Sequence, residues 1–320
     1  MPVAAVFSSH SPLKDYREPP GQVAAEVDTV ISNVRAAVAN FAPDLVICFA
    51  PDHFNGFFYR LMPSFCIGTA AESVGDWRTP GGALPVASDI AADCVNYLHN
   101  HDVDVSISHR MDVDHGATQL LTQLFDWQLL PDILPIFVNC AAPPLPPIKR
   151  VVALGKCVGE FLKQLDERNP CRILITASGG LSHDPPIPQL ASAPEPVRER
   201  LIAGGPLSVD ARAARQEKIL SDADAQVSST SSQRELNPEW DKAFLDMLLA
   251  AEFGPLAAAS EQDITQAAGC GGHEVRTWVA AASALRSFGN PDLSVSFYQA
   301  IPAWVAGFGI ATAGLATVEG

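Results

Sequence analysis

The chain has 320 residues, 48% of them hydrophobic and 18% charged, a balance that excludes both a disordered polymer and a bundle of membrane spans. Its 21 Lys and Arg against 36 Asp and Glu leave a net charge of −15, which repels phosphate backbones and anionic lipid, so neither nucleic acid nor membrane is expected as a partner. Seven cysteines, an odd number with no C-x-x-C pair, signal neither a disulfide framework nor a zinc ribbon and suit a reducing cytoplasm.

Met1 to His10 lacks the basic and long apolar regions of a secretory signal, and Val3 to Ser8 reads as a first strand. An amphipathic stretch from Gln22 to Phe41 follows, then the apolar run Leu45 to Ala50 between Pro43 and Pro51: strand, helix, strand. The pattern recurs as a strand at Phe65 to Ala71, a helix at Ala87 to His99 and an alternating strand through Val103, Val105 and Ile107. Leu120 to Leu129 reads as helix, Ile133 to Cys140 as a buried strand, Ile148 to Asp166 as helix and Arg172 to Ala177 as strand. Residues 184–236, rich in Pro, Ala, Ser and charge, hold no strand-like run and predict a helical excursion over the site. Trp240 to Ala251 and His273 to Phe288 are helical, and Val295 to Leu315, punctuated by glycine, predicts two closing strands. The cluster Pro143, Pro144, Pro146 and Pro147 does not break this alternation. The expectation is one α/β domain over residues 1–320, with a central mixed, largely parallel sheet flanked by helices.

No G-x-S-x-G elbow or Walker A sequence is present, and Gly307-Phe308-Gly309 is followed by Thr312 where a dinucleotide fingerprint needs a third small residue. Hydride and phosphoryl transfer lose support. The histidines are more informative, because four of eight stand just past a predicted strand or in a compact polar turn. They are His10 in Ser8-Ser9-His10-Ser11-Pro12, His53 in Pro51-Asp52-His53-Phe54-Asn55, His115 in Asp112-Val113-Asp114-His115-Gly116, and His183 in Gly179-Gly180-Leu181-Ser182-His183-Asp184. Ligands bind outside the carboxyl ends of the strands in an open α/β sheet. A right-handed crossover makes the first two strands parallel, and neighbouring strands about 5 Å apart would let His10 and His53 converge on one ion.

A single histidine after a strand is commonly a hydrogen-bonded structural residue, and His99, His101 and His109, which lack a polar cluster, are read that way. His273-Glu274-Val275-Arg276-Thr277 begins like a zincin helix, but Thr277 stands where the second zinc histidine belongs. Glu274 is then either an acid favoured in a first helical turn or the carboxylate of a two-histidine, one-carboxylate site on non-haem iron. Asp52 and Asp114, each adjacent to a site histidine, are candidates for orienting imidazoles.

These turns, together with Ser9-His10-Ser11-Pro12-Leu13, Ala50-Pro51-Asp52-His53-Phe54-Asn55-Gly56 and the terminal Ile301-Pro302-Ala303-Trp304-Val305-Ala306-Gly307-Phe308-Gly309, resemble the class III extradiol ring-cleavage dioxygenases. The resemblance runs along nearly the whole chain in five ordered motifs. It implies Fe(II) held by His10, His53 and Glu274, with His115 as acid and His183 as base. It also implies a catechol substrate and O2, both oxygen atoms entering the product, and a homo-oligomeric enzyme of aromatic catabolism. The substrate it implies is a 3-substituted catechol. A propionate substituent would need a cation, for which Arg78, Arg110 and Arg276 are candidates. Two other readings are a metal-free binding protein of the same fold and a zinc-dependent hydrolase that activates water at His10, His53 and Glu274.

Overall fold

In the computed structural model, residues 2–316 are described apart from 169, 206, 228–234 and 290. The strands are β1 (Val3–Ser8), β2 (Leu45–Ala50), β3 (Phe65–Gly68), β4 (Ala71–Val74), β5 (Gly81–Ala83), β6 (Ser106–Ser108), β7 (Met111–Val113), β8 (Asp132–Val138), β9 (Ile173–Ser178), β10 (Leu293–Ile301) and β11 (Ala306–Ala313). The helices are α1 (Val23–Phe41), α2 (Ser88–His99), α3 (His115–Leu124), α4 (Ile148–Arg168), α5 (Glu195–Ala203), α6 (Val209–Val227), α7 (Pro238–Ala250), α8 (Gly254–Ala258), α9 (Glu261–Ala268) and α10 (Val275–Arg286).

Every residue of β2 and β9 is buried, the mark of strands covered on both faces. They sit centrally in an eight-stranded sheet ordered β10-β11-β1-β9-β2-β8-β3-β6. β1, β9, β2 and β8 run parallel, while β11 and β3 pair antiparallel with β1 and β8. The condition of adjacency is not met: β1 and β2 are not neighbours, because β9 lies between them and pairs with both. A helical crossover makes two strands parallel without making them adjacent, and β9, buried along its whole length, takes a central place. His10 and His53 nonetheless leave on the same rim.

The alternation through Val103, Val105 and Ile107 yields only the short edge strand β6, with Val103 and Val105 buried in the loop before it. A second sheet, ordered β5-β4-β7, was not apparent because its strands of three or four residues are too short to display a period. The helix expected from Leu120 begins at His115, where Asp114 caps it by accepting from the Gly116 amide at 2.9 Å.

Side chains of α2, α4, α7 and α10 pack on one face of the large sheet, and those of α1 and α3 on the other. α4 and α10 approach closely because Gly155 and Gly159 present no side chain: a Cβ at either would strike the carbonyls of Ala280 or Ala284. The proline cluster leads directly from β8 into α4, both part of the same core. The 184–236 segment contains α5 and α6, and its residues 228–234 fall outside the described residues.

Candidate active site

The turn after β1 places His10 beside the end of β9, where its Nδ1 lies 3.1 Å from the Ser178 hydroxyl. Gln119 clamps that turn, accepting from the Ser11 amide and donating to the Ser11 carbonyl, both at 3.0 Å. In the turn after β2, Asp52 accepts from the amides of Asn55, Gly56 and Phe57. It shapes the loop and orients no imidazole through its described hydrogen bonds, contrary to expectation. Burial and the neighbouring Asp114 push its carboxyl up to about 7.

Asp114 serves His53, sixty-one positions away, rather than the adjacent His115. Its Oδ2 accepts from the His53 amide at 2.8 Å, faces the His53 Nδ1 at 3.1 Å and accepts from Asn55 at 2.8 Å. Burial opposes ionisation, but His53 and His115 hold this carboxyl far below the usual range. His115 has a different partner, missed in the sequence: Asp76, in the turn between β4 and β5, takes its amide at 2.8 Å and its Nδ1 at 2.6 Å.

After β9 the backbone turns through Gly179 and Gly180, and Asp241 from α7 receives the Ser182 amide and hydroxyl at 2.7 and 2.8 Å. The His183 Nδ1 donates to the Leu181 carbonyl at 3.0 Å, so its Nε2 faces the pocket. Its ring lies between Gly180 and Gly271, where a Cβ on either glycine would overlap it.

These turns meet at Glu274, 1% exposed, at the entry to α10. Its Oε1 lies 3.2 Å from the His53 Nε2 and 3.4 Å from the His183 Nε2, its Oε2 3.5 Å from the His10 Nε2, and the Gly180 amide donates to Oε2 at 2.7 Å. Against the cost of burial, His183 and His10 hold the Glu274 carboxyl well below its usual value. The His53 and His115 rings stack with centroids 4.5 Å apart, and His10 stands edge-on to both. His10, His53, His115 and His183 therefore line one pocket, and Glu274 lies within 3.5 Å of three of them.

The donor set fits a metal ion. Burial holds His10 near a pKa of 3, so its imidazole is neutral. The Ser178 and Asp114 contacts occupy the Nδ1 atoms of His10 and His53, leaving both Nε2 atoms for the point where Glu274 also arrives. Burial lowers the His53 pKa, but Asp114 and Glu274 outweigh it and raise it; a cation among the three groups would take that proton's place. Ligand atoms of His10, His53 and His115 also fall within 4.8 Å of one another. A second cluster, Asp76, Asp114 and His115, is already committed to hydrogen bonds from backbone amides and imidazoles. Two imidazoles and a carboxylate with room left over is the arrangement suited to non-haem iron.

The remaining candidates lie elsewhere. His273 is locked by Arg276 at 2.7 Å and Thr265 at 2.7 Å, and burial holds it near a pKa of 3. Arg276 is thereby committed to His273 and the Pro146 carbonyl, Arg78 bonds the Asp15 carbonyl over the Tyr16 ring, and Arg110 is exposed between β6 and β7. None lines the pocket; Arg215 and Lys218 of α6 do. Their one sequence signal was the spacing i, i+3, which puts both on one helix face.

A model of the family described as the catalytic LigB subunit of aromatic ring-opening dioxygenase matches residues 4–309. The chain belongs to this family. It is thus an extradiol dioxygenase, and its curated relatives agree along nearly their whole lengths. A 2,3-dihydroxyphenylpropionate/2,3-dihydroxycinnamic acid 1,2-dioxygenase of Cupriavidus pinatubonensis is 44% identical over 308 residues, covering 96% of this chain and 97% of the relative. Its namesake from Mycolicibacterium gilvum is 45% identical over 311 residues, covering 97% and 98%. An uncharacterized Escherichia coli K12 protein of known crystal structure shares the fold with a TM-score of 0.50 at 12% identity, covering 97% of this chain and 98% of that one.

Proposed function

We propose that His10, His53 and Glu274 hold one Fe(II), and that the enzyme opens the ring of 3-(2,3-dihydroxyphenyl)propionate, or the related cinnamate, beside its diol. The product is 2-hydroxy-6-oxonona-2,4-dienedioate for the propionate, with both atoms of O2 incorporated. The observation that carries this reading is the convergence of the His10 and His53 Nε2 atoms on the two oxygens of Glu274, within 3.5 Å, beside a pocket that both histidines line. The names of the 43–45% identical relatives support the substrate.

When bound, the ion supplies a template that brings the catechol oxygens and O2 together and accepts charge from the ring. The protein's own groups then manage protons and water. His183 takes a catechol proton at Nε2, since its Nδ1 is committed to the Leu181 carbonyl. His115 delivers a proton at Nε2, since its Nδ1 is held by Asp76. An imidazole suits both tasks near neutral pH. Phe54, Trp77, Ile187, Ile219 and Trp304 line the pocket and exclude water from the reacting ring, Pro185 to Ile187 and α6 acting as its cover. Seven free cysteines suit a cytoplasmic setting.

The test is oxygen uptake by protein reconstituted with Fe(II) and given 3-(2,3-dihydroxyphenyl)propionate, with the yellow ring-opened product followed in parallel. One O2 consumed per product, lost on chelation and restored by Fe(II), is the expected result. No uptake despite one bound iron per chain overturns the reading.

A further inference from the structure

In a chain with fifteen more acidic than basic charges, the pocket wall carries Arg215 and Lys218 and, among its described residues, no Asp or Glu. Arg215, Lys218, Ile219 and Ala223 share one face of α6 at helical spacing, so two cations and two apolar side chains enter the pocket together. The helix is tied down near both ends. Arg212 donates to the Val74 carbonyl at 2.8 Å, and Arg17 grips Asp224 through two bonds at 2.6 and 2.8 Å.

The guanidinium of Arg215 is itself aimed. Its Nη2 donates to the His53 carbonyl at 3.0 Å, while Arg200 from α5 donates to the next carbonyl, that of Phe54, also at 3.0 Å. The Arg200 Nε is buried without a hydrogen-bond partner, and burial followed by the repulsion of Arg215 lowers its pKa. Positive charge is thus concentrated beside the loop bearing a candidate metal ligand, in a wall that is apolar apart from the four site histidines and Ser11. Such a wall favours a ligand with an aromatic body and one anionic end.

The geometry points to Arg215 and Lys218 as the residues that bind the side-chain carboxylate of the catechol substrate. This assignment rests on the ring-cleavage reading above and deepens it. Because Arg215 is fastened to the backbone of His53, the carboxylate is gripped at a fixed offset from the metal ligands. That offset selects a 3-substituent of matching length and presents the diol in one orientation. Arg suits the task through its planar fork of donors, one of which is engaged with His53 and another of which pairs with a carboxylate oxygen. Lys218, one turn along, supplies a second charge on the same face. An anionic substrate that the overall charge repels at long range is thereby captured by a local field of opposite sign.

The test compares kcat/KM for 3-(2,3-dihydroxyphenyl)propionate with that for 3-propylcatechol, a neutral substrate of similar length, in Fe(II)-loaded wild type, Arg215→Gln, Arg215→Lys and Lys218→Met. The preference for the acid should fall about 100-fold in Arg215→Gln, chiefly through KM, with part of it restored in Arg215→Lys. Lys218→Met, which removes no described bond to His53, should lower the same preference. Binding of 3-phenylpropionate to metal-free protein, measured by calorimetry, should weaken in parallel. Equal losses for acid and neutral catechols, or an unchanged preference in both Arg215→Gln and Lys218→Met, overturn the assignment while leaving ring cleavage intact. A wild type that consumes no oxygen with either catechol overturns the ring-cleavage reading and this one with it.

Discussion

Asp76 accepts both the backbone amide and the Nδ1 of His115 with its two carboxylate oxygens, at 2.8 and 2.6 Å, across thirty-nine positions of sequence. The bonds fix the ring and its tautomer, so that Nε2 is the atom exposed for proton transfer. Asp76→Asn is expected to lower kcat by about 100-fold, because a carboxamide presents a donor where the imidazole needs an acceptor. Iron content should stay at the wild-type level. Steady-state kinetics beside metal analysis checks this, and an unchanged kcat would remove Asp76 from the proton path.

Asp114 does for His53 what Asp76 does for His115, and it also caps α3. Asp114→Ala removes the partner of the His53 Nδ1 and leaves the amides of His53 and Gly116 without their acceptor. Fe(II) affinity should fall about 10- to 100-fold. Loss of the cap costs a further ~1 kcal/mol of stability. Competition with a metal-sensitive dye reads the first effect and thermal melting the second; wild-type affinity would contradict the role given to Asp114.

Glu274→Gln keeps the size of the side chain while removing the charge on which His10, His53 and His183 converge. It should bind little Fe(II) and cleave no catechol. Full turnover in this variant would sink Glu274 as a ligand.

Gly271→Ala tests the space around His183, since the new methyl would overlap that imidazole. The ring must rotate away from Glu274, and kcat should fall by about 100-fold or more while Fe(II) still binds. Wild-type kcat in Gly271→Ala would mean that the position of His183 is unimportant.

The contact between α4 and α10 sets a stability prediction away from the chemistry. Gly155→Leu drives a branched side chain against the Ala280 carbonyl and the Ser283 side chain. The expected cost is about 1–3 kcal/mol, with lower Tm. A Tm equal to that of wild type would show that the helices can part freely.

The site histidines were legible because an apolar strand ending in a polar turn is a local signal, present in Val3 to His10 and in Leu45 to His53. The residues left Glu274 open between a first-turn acid and a metal ligand, and only the resemblance favoured the ligand, since an acid at a helix start is common. The partner of each histidine was hidden. Adjacency suggested that Asp52 and Asp114 orient their neighbours, yet a side chain next in sequence to a ligand usually points elsewhere, and Asp52 spends its oxygens on three amides of its own turn. No pattern ranked the cations, so Arg78, Arg110 and Arg276 stood only as candidates, while the two that line the pocket sit on α6, in a segment whose sequence says only that it is not a strand.

The sequence by itself determined the α/β class, the turns that hold the histidines and, through its ordered motifs, the family, because hydrophobic period and turn chemistry are properties of a few consecutive residues. Only the tertiary structure decided that β9 enters between β1 and β2, that Asp76 serves His115 and Asp114 serves His53, and that α6 brings cations to the pocket. Those relationships join residues dozens to hundreds of positions apart. They follow from which strand takes a central place in the sheet and where each crossover then delivers its loop, a choice made by the packing of the whole core.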